Sequence, residues 1–346
     1  MIFEKFKIKN LKFRNKIFIS PMCQYSSKDG CPSDWHYRHL GNLMLSGAGG
    51  LVVESTAVNM NGRISPADLC IEKKFQKDSF HKLIKYLKKI NDMPILLQIS
   101  HSGRKGSSQV PWIKSNTPLK RNSWTTFSSS NLRKDINWPK PKSLSNLQIK
   151  KLIKDFKKAT INSLQSGFDG IEIHMAHGYL LHQFLSPISN IRKDEYGGNQ
   201  NNRMRFPLEI IKEIKKIVPK NFILGARITA TDHLKNGLKI NDSIILAKKL
   251  ENLGVDYICV SSGGILTKTN LKFYNGFRVK YANTIKQNVK IPVRCSGMLS
   301  NLNYANKLIM NRKIDCIAIA RAFLGNPFWL RKTNKVKIPP QYTRGI

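Results

Sequence analysis

Eight short runs of apolar, largely β-branched residues recur along the chain, at 16–20, 50–54, 94–99, 170–174, 222–228, 257–261, 291–295 and 316–320. Within each run the apolar residues are continuous rather than alternating with polar ones. Such runs need burial on both faces, which predicts a parallel sheet covered by helices. Most of the intervening segments carry a helical period, as at 147–166, 205–218 and 240–253. Eight such units predict an α/β fold, a (β/α)8 TIM barrel, with 1–346 as one domain. The connection after the third run, about 100–144, holds Trp112, Trp124 and Trp138 with little helical period. It is too long for a plain link and predicts a capping loop or lid over the barrel mouth.

Composition excludes several function classes. The net charge of +38 points towards nucleic acid. The lysines, however, are spread over the whole chain and interleave with Ile and Leu at helical spacing, as at 82–89, 150–158 and 212–220. That pattern marks solvated helix faces, and the aromatic interleaving of single-strand binders is absent. No nucleic-acid partner is expected. The lysine-rich N-terminus has no apolar signal core, and no run approaches the roughly 18 apolar residues of a membrane span. A soluble, cytoplasmic protein without a membrane partner is expected. The cysteines at 23, 31, 70, 259, 295 and 316 show neither a CxxC pair nor metal-ligand spacing. Reduced thiols follow, with Cys259, Cys295 and Cys316 packed as small hydrophobes and Cys23 alone in a chemically interesting place.

A barrel delivers the residues at its strand ends to one mouth. Pro21, Met22, Cys23 and Tyr25 follow the first run, Ser55, Thr56 and Ala57 the second, and Gln98 ends the third, with His101 and Lys105 beyond. The fourth gives His174, His177 and Tyr179, and the fifth Arg227. Ser261, Ser262 and Gly263 end the sixth, Ser296 and Gly297 the seventh, Ala320 and Arg321 the eighth. The later strands bring no Asp or Glu, so the mouth suits a bound anion and developing negative charge rather than a metal or a carboxylate base. Gly297, Ala320 and Arg321 fall where barrel enzymes hold a phosphate. Arg227 would be costly there unless it faced an anion. A metal-dependent hydrolase built on His174, His177 and His182 is the alternative enzyme reading; no carboxylate completes that set.

Several motifs carry a resemblance that runs nearly end to end. They are Ser20-Pro-Met-Cys-Gln-Tyr25, Glu54-Ser-Thr-Ala57, Asn61-Gly-Arg-Ile64, Gln98 with His101-Ser-Gly-Arg-Lys105, His174-Met-Ala-His-Gly-Tyr179, Phe184-Leu-Ser-Pro-Ile-Ser-Asn190, Asp194-Glu-Tyr-Gly-Gly198 with Asn202-Arg203, and Gln341-Tyr-Thr-Arg-Gly345. In these the chain resembles the old yellow enzymes, FMN-dependent ene-reductases, in their bacterial xenobiotic reductase and NADPH dehydrogenase branch. The resemblance implies noncovalent FMN across the mouth, reduced by NADPH or NADH, and ping-pong hydride transfer to activated C=C bonds of enones and maleimides, with quinones and nitro compounds as further oxidants. It implies that Pro21, Met22, Cys23, Ala57, Gln98, Arg227, Gly297, Ala320 and Arg321 hold the cofactor. It further implies that His174, His177 and Tyr25 bind the small-molecule substrate, that Tyr179 supplies the proton and that Cys23 tunes the flavin potential. Arg344 in the 339–346 tail would reach a neighbouring subunit's site in a homodimer or homotetramer. Two departures stand out: Gly-Gly-Asn-Gln-Asn-Asn-Arg replaces the usual Gly-Gly-Ser-x-Glu-Asn-Arg, and the chain ends in Ile346 where relatives commonly have Trp.

Overall fold

The computed structural model describes residues 1–346 apart from Asn334, Lys337, Ile338 and Ile346. A hairpin of β1 (Phe6–Ile8) and β2 (Leu11–Phe13) leads into β3 (Ile17–Ile19), β4 (Gly50–Ala57) and β5 (Ile95–Ser100). A two-stranded pair, β6 (Phe127–Ser128) and β7 (Lys142–Ser143), lies in the long connection that follows. Then come β8 (Gly170–Met175), β9 (Ile223–Thr229), β10 (Tyr257–Ser261), β11 (Val293–Ser296) and β12 (Cys316–Ile319). β3, β4, β5 and β8 to β12 close into one parallel barrel in chain order, with β12 pairing back onto β3. Each predicted run is one barrel strand. The seventh is shifted from 291–295 to Val293–Ser296, because Pro292 has no N–H to give the ladder.

Every residue of these eight strands is buried, as continuous apolarity requires. Alternation survives inside that burial. Phe18, Val52, Leu96, Tyr257, Cys259, Cys316 and Ala318 pack in the barrel lumen, while their neighbours Ile17, Leu51, Leu97, Ile258, Val260 and Ile317 pack against the helices. Cys259, Cys295 and Cys316 are buried free thiols, as expected for small hydrophobes.

The lysine-rich N-terminus forms a hairpin that the sequence pattern does not announce. Phe6-Lys7-Ile8 and Leu11-Lys12-Phe13 alternate, so the lysines face solvent while Ile8 and Phe13 join the lumen cluster and plug the barrel's lower end. Three-residue strands are too short for this period to stand out among so many lysines.

Halfway up the lumen sits a polar layer. Glu172 accepts from Gln98 Nε2 at 2.8 Å and from Tyr257 Oη at 2.9 Å, and it ion-pairs with Arg294. The Arg294 guanidinium lies 4.6 Å from the Tyr257 ring centroid and 5.1 Å from that of Phe18. Gly225 makes room for this layer, since a Cβ there would lie 2.1 Å from Tyr257 Cζ.

Candidate active site at the barrel mouth

One residue pair further along the same inward-facing set lie His174, Arg227, Ser261 and Ser296. β8 pairs with β9 so that His174 stands opposite Arg227. The chain then reverses sharply: His177 has φ +58° and Gly178 φ +72°. A Cβ on Gly178 would lie 2.1 Å from the Gly264 carbonyl oxygen, so only glycine fits. Lys105 fastens this turn by donating to His177 O at 2.5 Å and Gly264 O at 2.6 Å. Behind it, His182 accepts from Gly178 N at 2.8 Å, and its Nε2 lies 2.9 Å from Asp232 Oδ1. His182 therefore buttresses the turn and does not join His174 and His177 as a third ligand.

The tautomers of the histidine pair follow from their partners. Ala176 N donates to His174 Nδ1 at 3.2 Å, which leaves the His174 proton on Nε2. That N–H faces His177 Nδ1 at 3.2 Å, so His177 carries its proton on Nε2 and donates to Ser261 Oγ at 2.5 Å. Burial first, and then the Arg227 charge, hold both imidazoles well below their usual pKa. They are neutral donors at neutral pH. The Tyr179 ring stands edge-on to His174 at 4.8 Å, with Lys105 Nζ 5.6 Å from its centroid. Burial pushes the Tyr179 phenol well up, so it keeps its proton.

On the opposite rim, Pro21, Met22, Cys23 and Tyr25 follow β3 and are half-buried, and Ala57 ends β4. Tyr25 lies edge-on to Trp112 of the long connection at 5.9 Å. Burial pushes both the Tyr25 phenol and the Cys23 thiol up. Cys23 sits with Glu54 and Asp68, their ligand atoms all within 4.8 Å of one another. Glu54 and Asp68 escaped the sequence reading, which placed acids only by strand ends. Glu54 lies inside β4, at the register shift between Val53 and Thr56, and accepts from Gln24 N at 2.8 Å; Asp68 arrives from a distant loop.

The anion position is a cleft of about 430 Å³ lined by Ser20, Arg227, Arg278, Ser296, Gly297, Ala320 and Arg321, among others. Among the described residues none of the three arginines has an ion-pair partner, and Arg227 Nε is buried without any acceptor. The donor set, the cleft and the orphaned guanidinium nitrogen fit a flavin phosphate and an electron-rich ring edge. Gln98 Nε2 is engaged by Glu172, which leaves its Oε1 as an acceptor. Arg344 is not brought to this mouth. Pro339, Pro340, Gln341 and Tyr342 line a cleft with Asn15, Gly47, Asn91 and Asp92, at the lower end of the barrel, and Arg344 is exposed just beyond.

The model of the NADH:flavin oxidoreductase / NADH oxidase family matches residues 1–338. The chain belongs to that family. It is 35% identical to an NADPH dehydrogenase of Clostridium acetobutylicum over 354 aligned residues, covering 100% of this chain and 99% of that one. It is also 35% identical to an NADPH dehydrogenase of Bacillus subtilis, covering 99% and 98%. Solved structures agree on the fold: morphinone reductase superposes with a TM-score of 0.81 at 21% identity, over 98% of this chain and 92% of that one. A 2-naphthoyl-CoA reductase gives 0.86 at 21% identity over 96% of this chain, and the match spans 52% of that longer protein. The family membership makes the chain an FMN-dependent NAD(P)H oxidoreductase, and the metal-hydrolase alternative falls. Among the described residues no helix is long and apolar enough to cross a membrane.

Proposed function

We propose that this flavoenzyme is an ene-reductase that takes electrons from NADPH or NADH and passes them to the activated C=C bond of a small enone or maleimide, with quinones and nitro compounds as further oxidants. The observation that carries this reading is the cluster of His174, His177 and Tyr179, three protonated neutral groups held together at the mouth beside an unneutralised guanidinium. FMN, when bound, supplies hydride transfer. The residues of the chain do the rest.

Arg227 would hold the pyrimidine edge where the reduced ring carries negative charge, with Gln98 accepting beside it. Pro21, Met22, Cys23 and Ala57 would border the ring, and Gly297, Ala320 and Arg321 would hold the phosphate. His174 and His177 would turn their N–H groups from each other and from Ser261 to the carbonyl or nitro oxygen of the substrate. There they stabilise charge as the β-carbon is reduced. Because both are neutral, they act without adding or losing a proton. Tyr25 would add a third hydrogen bond to that oxygen. Tyr179 Oη would then deliver a proton to the α-carbon, which its raised pKa equips it to hold until charge develops. The 100–144 connection, through Trp112 against Tyr25, would act as the lid that shapes the substrate space.

Timing the two half-reactions separately tests the reading. Tyr179→Phe should leave reduction by NADPH intact and slow reoxidation by an enone more than reoxidation by a quinone, which can take protons from water at oxygen. A colourless protein that takes up no FMN would refute the cofactor placement. Equal slowing with both oxidants would remove Tyr179 from the proton path.

A further inference from the structure

Two arginines of the anion cleft, Arg227 and Arg321, stand at barrel-strand ends, and a third reaches it by another route. Arg278 enters from the segment after β10, just before the helix Val279–Lys286. Gly276 N donates to Gly297 O at 2.9 Å and ties this segment to the exit of β11. The Arg278 stem lies along Gly297, where a Cβ would meet Arg278 Cβ at 3.3 Å. Its guanidinium stacks 4.5 Å from the Phe277 ring centroid. Nε donates to Ser262 Oγ at 3.2 Å, Nη1 to Ser296 Oγ at 3.3 Å and Nη2 to Ser262 O at 3.3 Å. All three bonds are long, and every acceptor is uncharged.

A guanidinium so placed is fixed in direction yet unneutralised. Burial first, and then the neighbouring Arg227 charge, lower its pKa to about 10. Among the described residues no carboxylate lines that cleft. Three positive charges thus face one space. A phosphate monoester carries about −1.5 to −2 at neutral pH and offers three strong acceptor oxygens, more than one arginine neutralises. With Arg227 committed to the ring edge, Arg321 and Arg278 are the pair that matches the dianion.

We propose that Arg278 is a cofactor-binding residue that holds the FMN phosphate together with Arg321, and that this second guanidinium makes the site select FMN over riboflavin. The proposal rests on the FMN placement given above. Arg278 stacks on Phe277 and leans on Gly297, so its head is fixed before the ligand arrives and little side-chain entropy is lost on binding. The seryl contacts position it, and the phosphate replaces the weakest of them.

The test compares holoenzyme carrying FMN with holoenzyme after exchange of FMN for riboflavin, in the parent, Arg278→Ala and Arg278→Lys proteins. Released flavin is read by fluorescence on dilution, and thermal unfolding is followed alongside. Arg278→Ala should raise the FMN dissociation constant about ten- to a hundredfold, the scale of one charge-assisted hydrogen bond, while riboflavin affinity stays within about twofold. Arg278→Lys should restore part of the FMN affinity, and inorganic phosphate should compete with FMN less well in Arg278→Ala. Equal loss of FMN and riboflavin would make Arg278 a structural residue and overturn the proposal. Unchanged FMN binding with a raised KM for NADPH would also overturn it, assigning the guanidinium to the donor's phosphates. Parent protein that never binds FMN would instead defeat the cofactor placement itself.

Discussion

Two groups of arginines sit one above the other in this barrel. Arg294, in the lumen, is paired with Glu172 and flanked by Tyr257 and Phe18. Arg227, Arg278 and Arg321, at the mouth, share a cleft that no carboxylate lines among the described residues. The lower charge is neutralised by the fold, and it stiffens the layer that Gln98 joins through Glu172. The upper charges are left for a ligand. Of the upper three, Arg227 is buried, Arg278 half-buried and Arg321 exposed, so it is the shared cleft and the unaccepted Arg227 Nε, rather than burial alone, that mark an anion site.

The largest expected effect breaks the lower group. Glu172→Ala should destabilise the protein by about 3–5 kcal/mol, because it strands the buried Arg294 charge. Glu172→Leu with Arg294→Met should recover most of that loss in chemical denaturation at fixed FMN. If the single variant unfolds like the parent, the lower pair is not the structural partner the comparison makes it.

At the mouth, His174→Ala combined with His177→Ala should leave the fold and the NADPH-driven half-reaction in place while slowing reoxidation by an enone about a hundredfold or more. Stopped-flow traces of each half-reaction decide it. Parallel slowing would mean that these rings shape the whole flavin site.

Asp68 sharpens the contrast from the acidic side, since it is a buried carboxyl without the cation that Glu172 enjoys. Burial raises it from 3.8 to about 7, and its Oδ1 has no hydrogen-bond partner. The folded chain therefore binds a proton that the unfolded chain has released between those values. Stability from this group is fully present below about 4 and is lost as pH rises to about 7, at up to about 1.4 kcal/mol per pH unit. Asp68→Asn should flatten that slope in denaturation curves at pH 5 and 6.5. An unchanged slope would show that Asp68 is ionised throughout.

The smallest effect is expected from Arg344→Ala, within about 0.5 kcal/mol in unfolding because the side chain is exposed. If the tail serves a neighbouring subunit, mixing this protein with the His174→Ala/His177→Ala protein under subunit exchange should raise activity above the mean of the two. No recovery in confirmed hybrids would confine the tail to its own barrel.

Much of this was legible in advance because it is carried by short-range pattern. The eight runs became the eight strands of the barrel. His174, His177 and Tyr179 needed only the strand exit and its turn to be recognised. Arg278, Glu54 and Asp68 were missed for a shared reason: each reaches the mouth by an irregular path or from inside a strand, where sequence position does not reveal direction. Glu172 and Arg294 were hidden inside apolar runs 122 residues apart. Only closure of the barrel makes them neighbours.

The sequence by itself determined the number of barrel strands, their parallel pairing, the covering helices and which donors stand at the strand ends, because burial on both faces and the strand-end rule act locally along the chain. The tertiary structure alone decided which arginines are neutralised, which tautomers the histidines adopt and on which side of the barrel the tail lies. Those depend on the partners that distant strands bring within a few ångströms, where desolvation and charge set the balance.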